Sequence, residues 1–499
     1  MICHPLFFTN IPKIPLNDTR KVFVGYLCEK ITCVRILRVL FLLCVSLPAF
    51  AQNTAVFRTK AYEHAAVSVC VLDLNTSKVV AQVNQAEGVT PASVLKLLTT
   101  GAALEMLGPD FRFETKLLTS GTIENEQLMG DLLIQGGGDP SLGSRQVPGN
   151  PEAFLADWVN VIRNAGILRV EGRILVDASA FDSEGVSPYW LWEDIGNYYA
   201  TGVYGLNVFD NSFKLELKSG SAGTKPEMVG MIPYISGLTI ENNLQAANNE
   251  QDSAYLYGAP YQNEMRLFGT MPANRASFVI RGQMPDPSTY LAFRLKEALI
   301  KAGIPVNGEA RSTRLLTGEP DILGKTVFRT KSVPLSQIIR IIHEKSDNFY
   351  TECLLRQLAR TATNKPASAR EGIRVVKEFW QKKGLDLSAL SIYDACGLSP
   401  NDRISAELLA QVLSLMASNT LFEQSLPLAG MEGTVSGFLK GTPLEGKLRL
   451  KSGSNQVVNS YAGYYRKNGK SYAVVMMVNY ANASRFQIRK DMETFLLSL

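Results

Sequence analysis

The sequence predicts an α+β protein whose central sheet draws strands from both ends of the chain. Near the N-terminal side, residues 67–74 and Lys78–Val83 are apolar-rich runs separated by a short polar turn, the pattern of a hairpin. Near the C-terminus, residues 447–454 alternate polar and apolar side chains with the period of a half-buried strand. Residues 460–465 and 471–479 follow as two more strands joined through Asn468-Gly469, a strong hairpin signal. Together the five strands complete one antiparallel sheet, with a helix over Arg485–Leu497 covering a face. Between the two ends, residues 113–119 and 127–135 alternate and are bounded by turn residues, so a region of strands begins there.

After the first hairpin comes a helix. Thr90-Pro91-Ala92 precedes an apolar run through Val94, Leu95, Leu97, Leu98, Ala102, Ala103, Leu104, Met106 and Leu107, which Gly108-Pro109 stops. Ser93 then lies in the first turn, where backbone N–H groups have no intrahelical partner and the helix dipole favours developing negative charge. Lys96, three residues on, shares its face and can supply the base that a serine nucleophile needs. The structural alternative is a polar stripe at the start of a buried helix. Histidine is scarce: His4 lies in the leader, so a serine–histidine–aspartate triad would have to use His64 or His343. A lysine base is the more economical reading.

A second apolar helical stretch over residues 338–345 runs into Ser346-Asp347-Asn348, and the helical pattern resumes at Phe349. Ser, Asp and Asn are the usual capping residues, so capping alone accounts for them structurally. In the functional reading Ser346 relays a proton to a leaving amine and the Asn348 amide orients Lys96 and the substrate backbone. On the strand at 447–454, Lys451 is suited to a substrate carboxylate as a point charge, and Gly453 lets a substrate backbone approach closely. The alternative for Lys451 is an exposed edge-strand lysine that discourages aggregation. The three segments, Ser93-Val94-Leu95-Lys96, Ser346-Asp347-Asn348 and Lys451-Ser452-Gly453, read in order as S-x-x-K, S-x-N and K-S-G. The ordered set points to active-serine acyl transfer.

With these motifs the chain resembles the penicillin-recognising serine peptidases. The long interval between Ser93 and Ser346 narrows the resemblance to the D-alanyl-D-alanine carboxypeptidase/endopeptidase family, the class C low-mass penicillin-binding proteins. Further stretches agree: Gly136-Gly137-Gly138-Asp139-Pro140, Gly172-Arg173-Ile174-Leu175-Val176-Asp177, Trp190-Leu191-Trp192-Glu193-Asp194, Asp394-Ala395-Cys396-Gly397-Leu398-Ser399 and Gly430-Met431-Glu432-Gly433-Thr434. The resemblance runs from about Ala55 to the C-terminus. It implies a β-lactamase/transpeptidase-like catalytic domain over 52–112 and 320–499, an insertion domain over 113–180 and 265–319, and a nested, mostly β insertion over 181–264. It also implies that Ser93 attacks the carbonyl between two D-alanines with Lys96 as base, that backbone N–H groups of Ser93 and Ser454 bind the oxyanion, and that Lys451 and Ser452 hold the terminal carboxylate. Gln456 matches a substrate-contacting glutamine that follows this motif in relatives. Two positions depart from the family pattern: Pro400 replaces a basic residue after Gly397-Leu398-Ser399, and Ala395-Cys396 replaces a pair of small residues. Peptidoglycan peptides are the implied substrates and β-lactams the implied acylating ligands, with no cofactor.

The 499 residues, 46% hydrophobic and 19% charged, have an ordinary globular composition long enough for two or three domains. Arg35 and Arg38 precede an apolar run from Val39 to Leu47 and then Ala49-Phe50-Ala51, the pattern of a secretory signal cleaved near Ala51. That run is too short for a stable membrane span, and export points to the periplasm. The leader carries most of the formal net charge of +5, so the mature chain is near neutral and nucleic acid is not implied. The stretch before residue 35 is longer than a usual signal n-region, which suggests a later start codon. Only Cys70, Cys353 and Cys396 lie beyond the leader, with no C-x-x-C, so neither a disulfide framework nor a metal site is indicated. Two other functions are compatible with this set: a β-lactamase, which needs fast deacylation, and a non-catalytic wall-binding protein on the same fold. Oligomeric state is not encoded in these patterns.

Overall fold

The computed structural model describes residues 54–251, 253–316 and 324–499; the expected leader and its cleavage site lie outside them. The two ends of the chain meet in one antiparallel sheet. Its five strands run in the order Leu448–Ser454, Val458–Lys467, Lys470–Asn479, Ala66–Asp73, Lys78–Val83. The junction of the ends is the pairing of Ala66–Asp73 with Lys470–Asn479, in register from Ala66 opposite Asn479 to Asp73 opposite Tyr472. Asn468 and Gly469 turn the second hairpin at φ 51° and 75°, the left-handed values that a two-residue turn requires.

Both central strands are apolar on both faces because both faces are covered. Val67, Val69 and Val71, with Val474, Met476 and Val478, pack against Ile488, Met492, Phe495 and Leu496 of the C-terminal helix Arg485–Leu497. The residues between them, Cys70, Ala473, Val475 and Met477, face the opposite way into a large helical core. That core holds the helices Lys96–Leu107, Leu335–Lys345, Asn348–Thr363, Ala369–Lys382 and Ala406–Met416. Lys96–Leu107 is buried nearly all round, which explains its apolar sequence.

Between these ends lies a separate core with its own sheets. Ala310–Ser312, Ile174–Asp177, Leu132–Gln135, Glu114–Thr119 and Lys325–Lys331 form a mixed five-stranded sheet in that order. Two three-stranded sheets follow: Ser212–Lys218 flanked by Glu227–Ile232 and Phe278–Gln283, and Glu264–Pro272 flanked by Thr239–Ala247 and Tyr255–Tyr257. The helices Ala153–Asn164 and Pro287–Lys301 contribute Trp158, Ile162, Leu291, Leu295 and Leu299 to the same core. Pairing ties Lys325–Lys331, which the sequence grouped with the Ser93 helix, to Glu114–Thr119, and beyond it Val333 and Leu335 pack on the helical core. Likewise Glu264–Pro272 and Phe278–Gln283 pair with strands of the 181–264 segment.

The strand expected over 127–135 is two strands, Gln127–Met129 and Leu132–Gln135. The chain breaks at Gly130-Asp131, where a Cβ on Gly130 would sit 1.8 Å from the Ser120 carbonyl and Asp131 turns to pair with Arg173 at 2.7 Å. Among the described residues no helix is long and apolar enough to cross a membrane.

Candidate active site

Ser93 does not sit in an α-helical turn, as its sequence context predicts, but in a 3-10 turn, Ala92–Leu95, from which the α-helix Lys96–Leu107 continues. The cause lies at Ala92, held at φ 50°, with its carbonyl pressed against Gly397, where a Cβ would be 2.0 Å away. The three-residue offset still brings the pair together: Lys96 Nζ lies 2.8 Å from Ser93 Oγ. The same nitrogen is 2.7 Å from Asn348 Oδ1 and 2.7 Å from the Cys396 carbonyl. Lys96 is fully buried, and burial pushes its pKa down, against the more distant pull of Asp394, Asp347 and Glu352. A neutral amine fits these three contacts well. It donates to Asn348 and Cys396 and turns its lone pair to the Ser93 hydroxyl, which is the arrangement of a general base.

Ser346-Asp347-Asn348 lies between two helices and serves both readings of its sequence. Ser346 ends Leu335–Lys345 in the left-handed region at φ 57°, and the Asp347 carboxylate caps the next helix by accepting from Tyr350 N at 2.9 Å. The side chains on either side of Asp347 turn to the two lysines. Ser346 Oγ accepts from Lys451 Nζ at 2.8 Å, and Asn348 Oδ1 accepts from Lys96. One N–H of the Asn348 amide donates to the Tyr199 carbonyl at 2.8 Å, which fixes the orientation of the side chain.

Lys451 lies on an edge strand yet is fully buried, which removes the reading of it as an exposed lysine. Period two on the strand explains this. Leu448 and Leu450 pack with the core beneath the C-terminal helix, whereas Lys451 and Gly453 face the other way, toward Ser346 and the Ser93 turn. Lys451 Nζ also donates to the Ser452 carbonyl at 2.6 Å, and burial, then the nearby Lys96, pushes its pKa well down. A Cβ on Gly453 would stand 2.8 Å from Pro91 O, 2.9 Å from Ser93 N and 3.0 Å from Val94 N, so glycine alone allows this strand to meet the Ser93 turn.

His343 is no partner for Ser93. It is fully buried, its two ring nitrogens lie 2.9 Å from Thr100 Oγ1 and 2.8 Å from Ser425 Oγ, and burial holds it neutral. His64 is exposed.

Two carboxylates outside the S-x-x-K, S-x-N and K-S-G segments shape the site from behind. Asp394 accepts from Gly397 N at 2.6 Å, Leu398 N at 3.1 Å, Ser399 N at 2.7 Å and Trp190 Nε1 at 2.8 Å. Glu352 Oε1 accepts from Ala395 N and Cys396 N at 2.7 and 3.1 Å, while its other oxygen meets Arg356 at 3.2 Å. Together they fix the loop that aims the Cys396 carbonyl at Lys96. Glu352 had one sequence signal, its position four residues after Asn348 on the same helical face. Tyr199 acts through a carbonyl and Trp190 through the central insertion, so neither role was visible in local sequence. Glu352, Asp394 and Cys396 are close enough to suggest a metal cluster, but backbone and side-chain N–H groups already occupy the carboxylates. Cys70, Cys353 and Cys396 are free and buried.

A cleft of about 390 Å3 opens over Ser93, lined by Ser346, Thr434, Ser452, Gly453 and Ser454 and closed on one side by the C-terminal helix. Ser452 Oγ is 2.6 Å from Thr434 Oγ1. Gln456 is exposed in the turn after the strand and is not part of this lining.

The model of the D-Ala-D-Ala carboxypeptidase 3 (S13) family matches residues 52–499. The chain is 28% identical over 459 residues to a D-alanyl-D-alanine carboxypeptidase, DacB, of Haemophilus influenzae, covering 88% of this chain and 91% of that one. It is 25% identical over 424 residues to a D-alanyl-D-alanine carboxypeptidase of an Actinomadura species, covering 82% and 77%. Among solved structures, penicillin-binding protein 4 of Haemophilus influenzae superposes with a TM-score of 0.77 at 25% identity, over 89% of this chain and 97% of that one.

Proposed function

The chain belongs to the D-Ala-D-Ala carboxypeptidase 3 (S13) family of peptidases, and from that premise we propose that it cleaves the terminal D-Ala-D-Ala bond of peptidoglycan stem peptides through an acyl-enzyme on Ser93. The observation that carries this is the Lys96 amine, desolvated, held from two sides by Asn348 and Cys396, and 2.8 Å from Ser93 Oγ. Ser93 Oγ bonds to the scissile carbonyl carbon while its proton passes to Lys96 Nζ. The carbonyl oxygen becomes an oxyanion facing the N–H groups of Ser93 and Ser454, each such donor being worth about 3 kcal/mol. As the intermediate collapses, the C–N bond breaks and the proton taken up by Lys96 passes to the leaving D-alanine amine by way of the Ser346 hydroxyl, which Lys451 Nζ holds in place, so that Lys96 is neutral again. Water then cleaves the ester and restores the Ser93 hydroxyl.

A β-lactam presents the same amide within a strained ring and so acylates Ser93 without releasing a leaving group. The lining of the cleft among the described residues includes no Asp or Glu, which favours a slowly hydrolysed adduct over β-lactamase turnover. The family match begins at residue 52, next to the expected cleavage site at Ala51, and this supports an exported, periplasmic enzyme. We further read the molecule as a catalytic part from the two chain ends and a nested insertion between them.

Fluorescent penicillin should label the mature protein at Ser93, Ser93→Ala should abolish labelling, and a D-Ala-D-Ala pentapeptide should release D-alanine. An adduct mapped to a different serine would refute the assignment.

A further inference from the structure

Lys451, the cation that the sequence assigns to the substrate carboxylate, is buried beneath the cleft and bonded to Ser346 and the Ser452 carbonyl. Two of its three N–H groups are engaged and the side chain has no exposed surface, so a carboxylate in the cleft does not meet it directly. Two guanidinium groups line the cleft instead: Arg485 and Arg489, one turn apart on the C-terminal helix. They share the cleft with Ser93 and with the Ser452–Thr434 hydroxyl pair.

Both side chains are anchored but incompletely neutralised. Arg485 Nη2 donates to the Asn455 carbonyl at 2.6 Å, just beyond the K-S-G strand. The Arg489 guanidinium lies over Gly437, where a Cβ would come within 2.9 Å of Nη2. Its one acidic contact among the described residues is Glu493, at 3.4 Å through Nε, and that carboxylate also accepts from Lys490 at 2.7 Å and Leu439 N at 2.8 Å. Among the described residues the two terminal nitrogens of Arg489 have no acceptor, so the edge of the fork that could take a carboxylate is open.

We propose that Arg485 and Arg489 form the anion-binding wall of the cleft and recognise the carboxylate of the leaving amino acid, while Lys451 acts from below through Ser346. This rests on the proposed peptidase reaction at the same site. It makes the final helix, which the motifs leave out, a determinant of specificity. Arginine suits the task because its planar fork stays charged and presents two parallel N–H groups to a carboxylate.

The test compares two peptides, one ending in D-Ala-D-Ala carboxylate and the other in the C-terminal carboxamide. The ratio of their kcat/KM values is measured for the full mature chain and for Arg485→Gln, Arg489→Gln and the double variant. The proposal expects the preference for the carboxylate to fall roughly ten- to hundredfold in the double variant, as for loss of a charged hydrogen bond. Salt gives a second reading on the unaltered protein. KM for the carboxylate peptide should rise with ionic strength more than KM for the amide, because half-exposed guanidinium groups are screened and a buried lysine is not. An unchanged ratio in a folded double variant, or equal salt dependence of both peptides, overturns the proposal. Failure of the unaltered chain to bind penicillin or release D-alanine would refute the proposed reaction instead.

Discussion

Replacing Asp402 by asparagine should change the pH dependence of stability by an amount that the structure fixes. Asp402 is buried beside Asp394, and one of its oxygens, Oδ1, accepts from Tyr393 N at 2.8 Å while Oδ2 has no donor. Burial, followed by the charge of Asp394, raises its pKa from 3.8 to about 10. The folded chain therefore holds a proton at neutral pH that the unfolded chain has released. The stability tied to that proton is complete below pH 4 and is lost as pH rises toward 10, at about 1.4 kcal/mol per pH unit. Asparagine keeps the neutral group, the acceptor for Tyr393 and a donor toward Asp394, but carries no proton to lose. The difference in unfolding free energy between Asp402→Asn and the unaltered protein should move in favour of the variant by about 1.4 kcal/mol for each pH unit between 6 and 8. Urea denaturation at pH 6, 7 and 8 measures it, with the slope m checked for constancy. A difference independent of pH would mean that Asp402 is ionised in the fold and that the reading of this buried pair is wrong.

Other outcomes follow from the same geometry. In Lys96→Arg the guanidinium cannot give up its proton, so penicillin acylation should fall by roughly a hundredfold or more, nearly as far as in Lys96→Ala. The acylation rate of the unaltered enzyme should fall on the acid side as Lys96 protonates, at a pH below the ordinary lysine range because burial lowers its pKa. Near-native acylation by the arginine variant would make Lys96 a charge and not a base. Gly453→Ala pushes a methyl group to within 3.0 Å of the Pro91 carbonyl and the Ser93 and Val94 nitrogens, so the strand must retreat from the serine turn. It should lose about 1–3 kcal/mol of stability and most of its acylation rate, read by denaturation and stopped-flow labelling; a variant with native kinetics would show that this close approach is dispensable.

What the sequence determined by itself is what depends on neighbours along the chain. A serine and a lysine three residues apart meet across one helical turn whether that turn is 3-10 or α, so the Ser93–Lys96 pair could be read at once. Period-two patterning placed the sheet strands to within a few residues, and the C-terminal helix was read over its observed bounds, Arg485–Leu497. Capping chemistry placed Asp347 at a helix start, where it caps. The tertiary structure decided what depends on desolvation and on partners far along the chain. Lys451 alternates with apolar residues as an exposed strand lysine would, and only the helices packed over that side of the strand bury it and give it to Ser346. The Asn348 amide is anchored by a carbonyl from Tyr199, and Lys96 is aimed by a carbonyl from Cys396; backbone carbonyls are common to every residue and leave no trace in composition. Arg485 and Arg489 look like the solvated face of a terminal helix until the sheet brings them beside Ser93. Local spacing fixes which groups can meet, but the charge each one carries is set by how much water and how many opposing dipoles the assembled fold leaves around it.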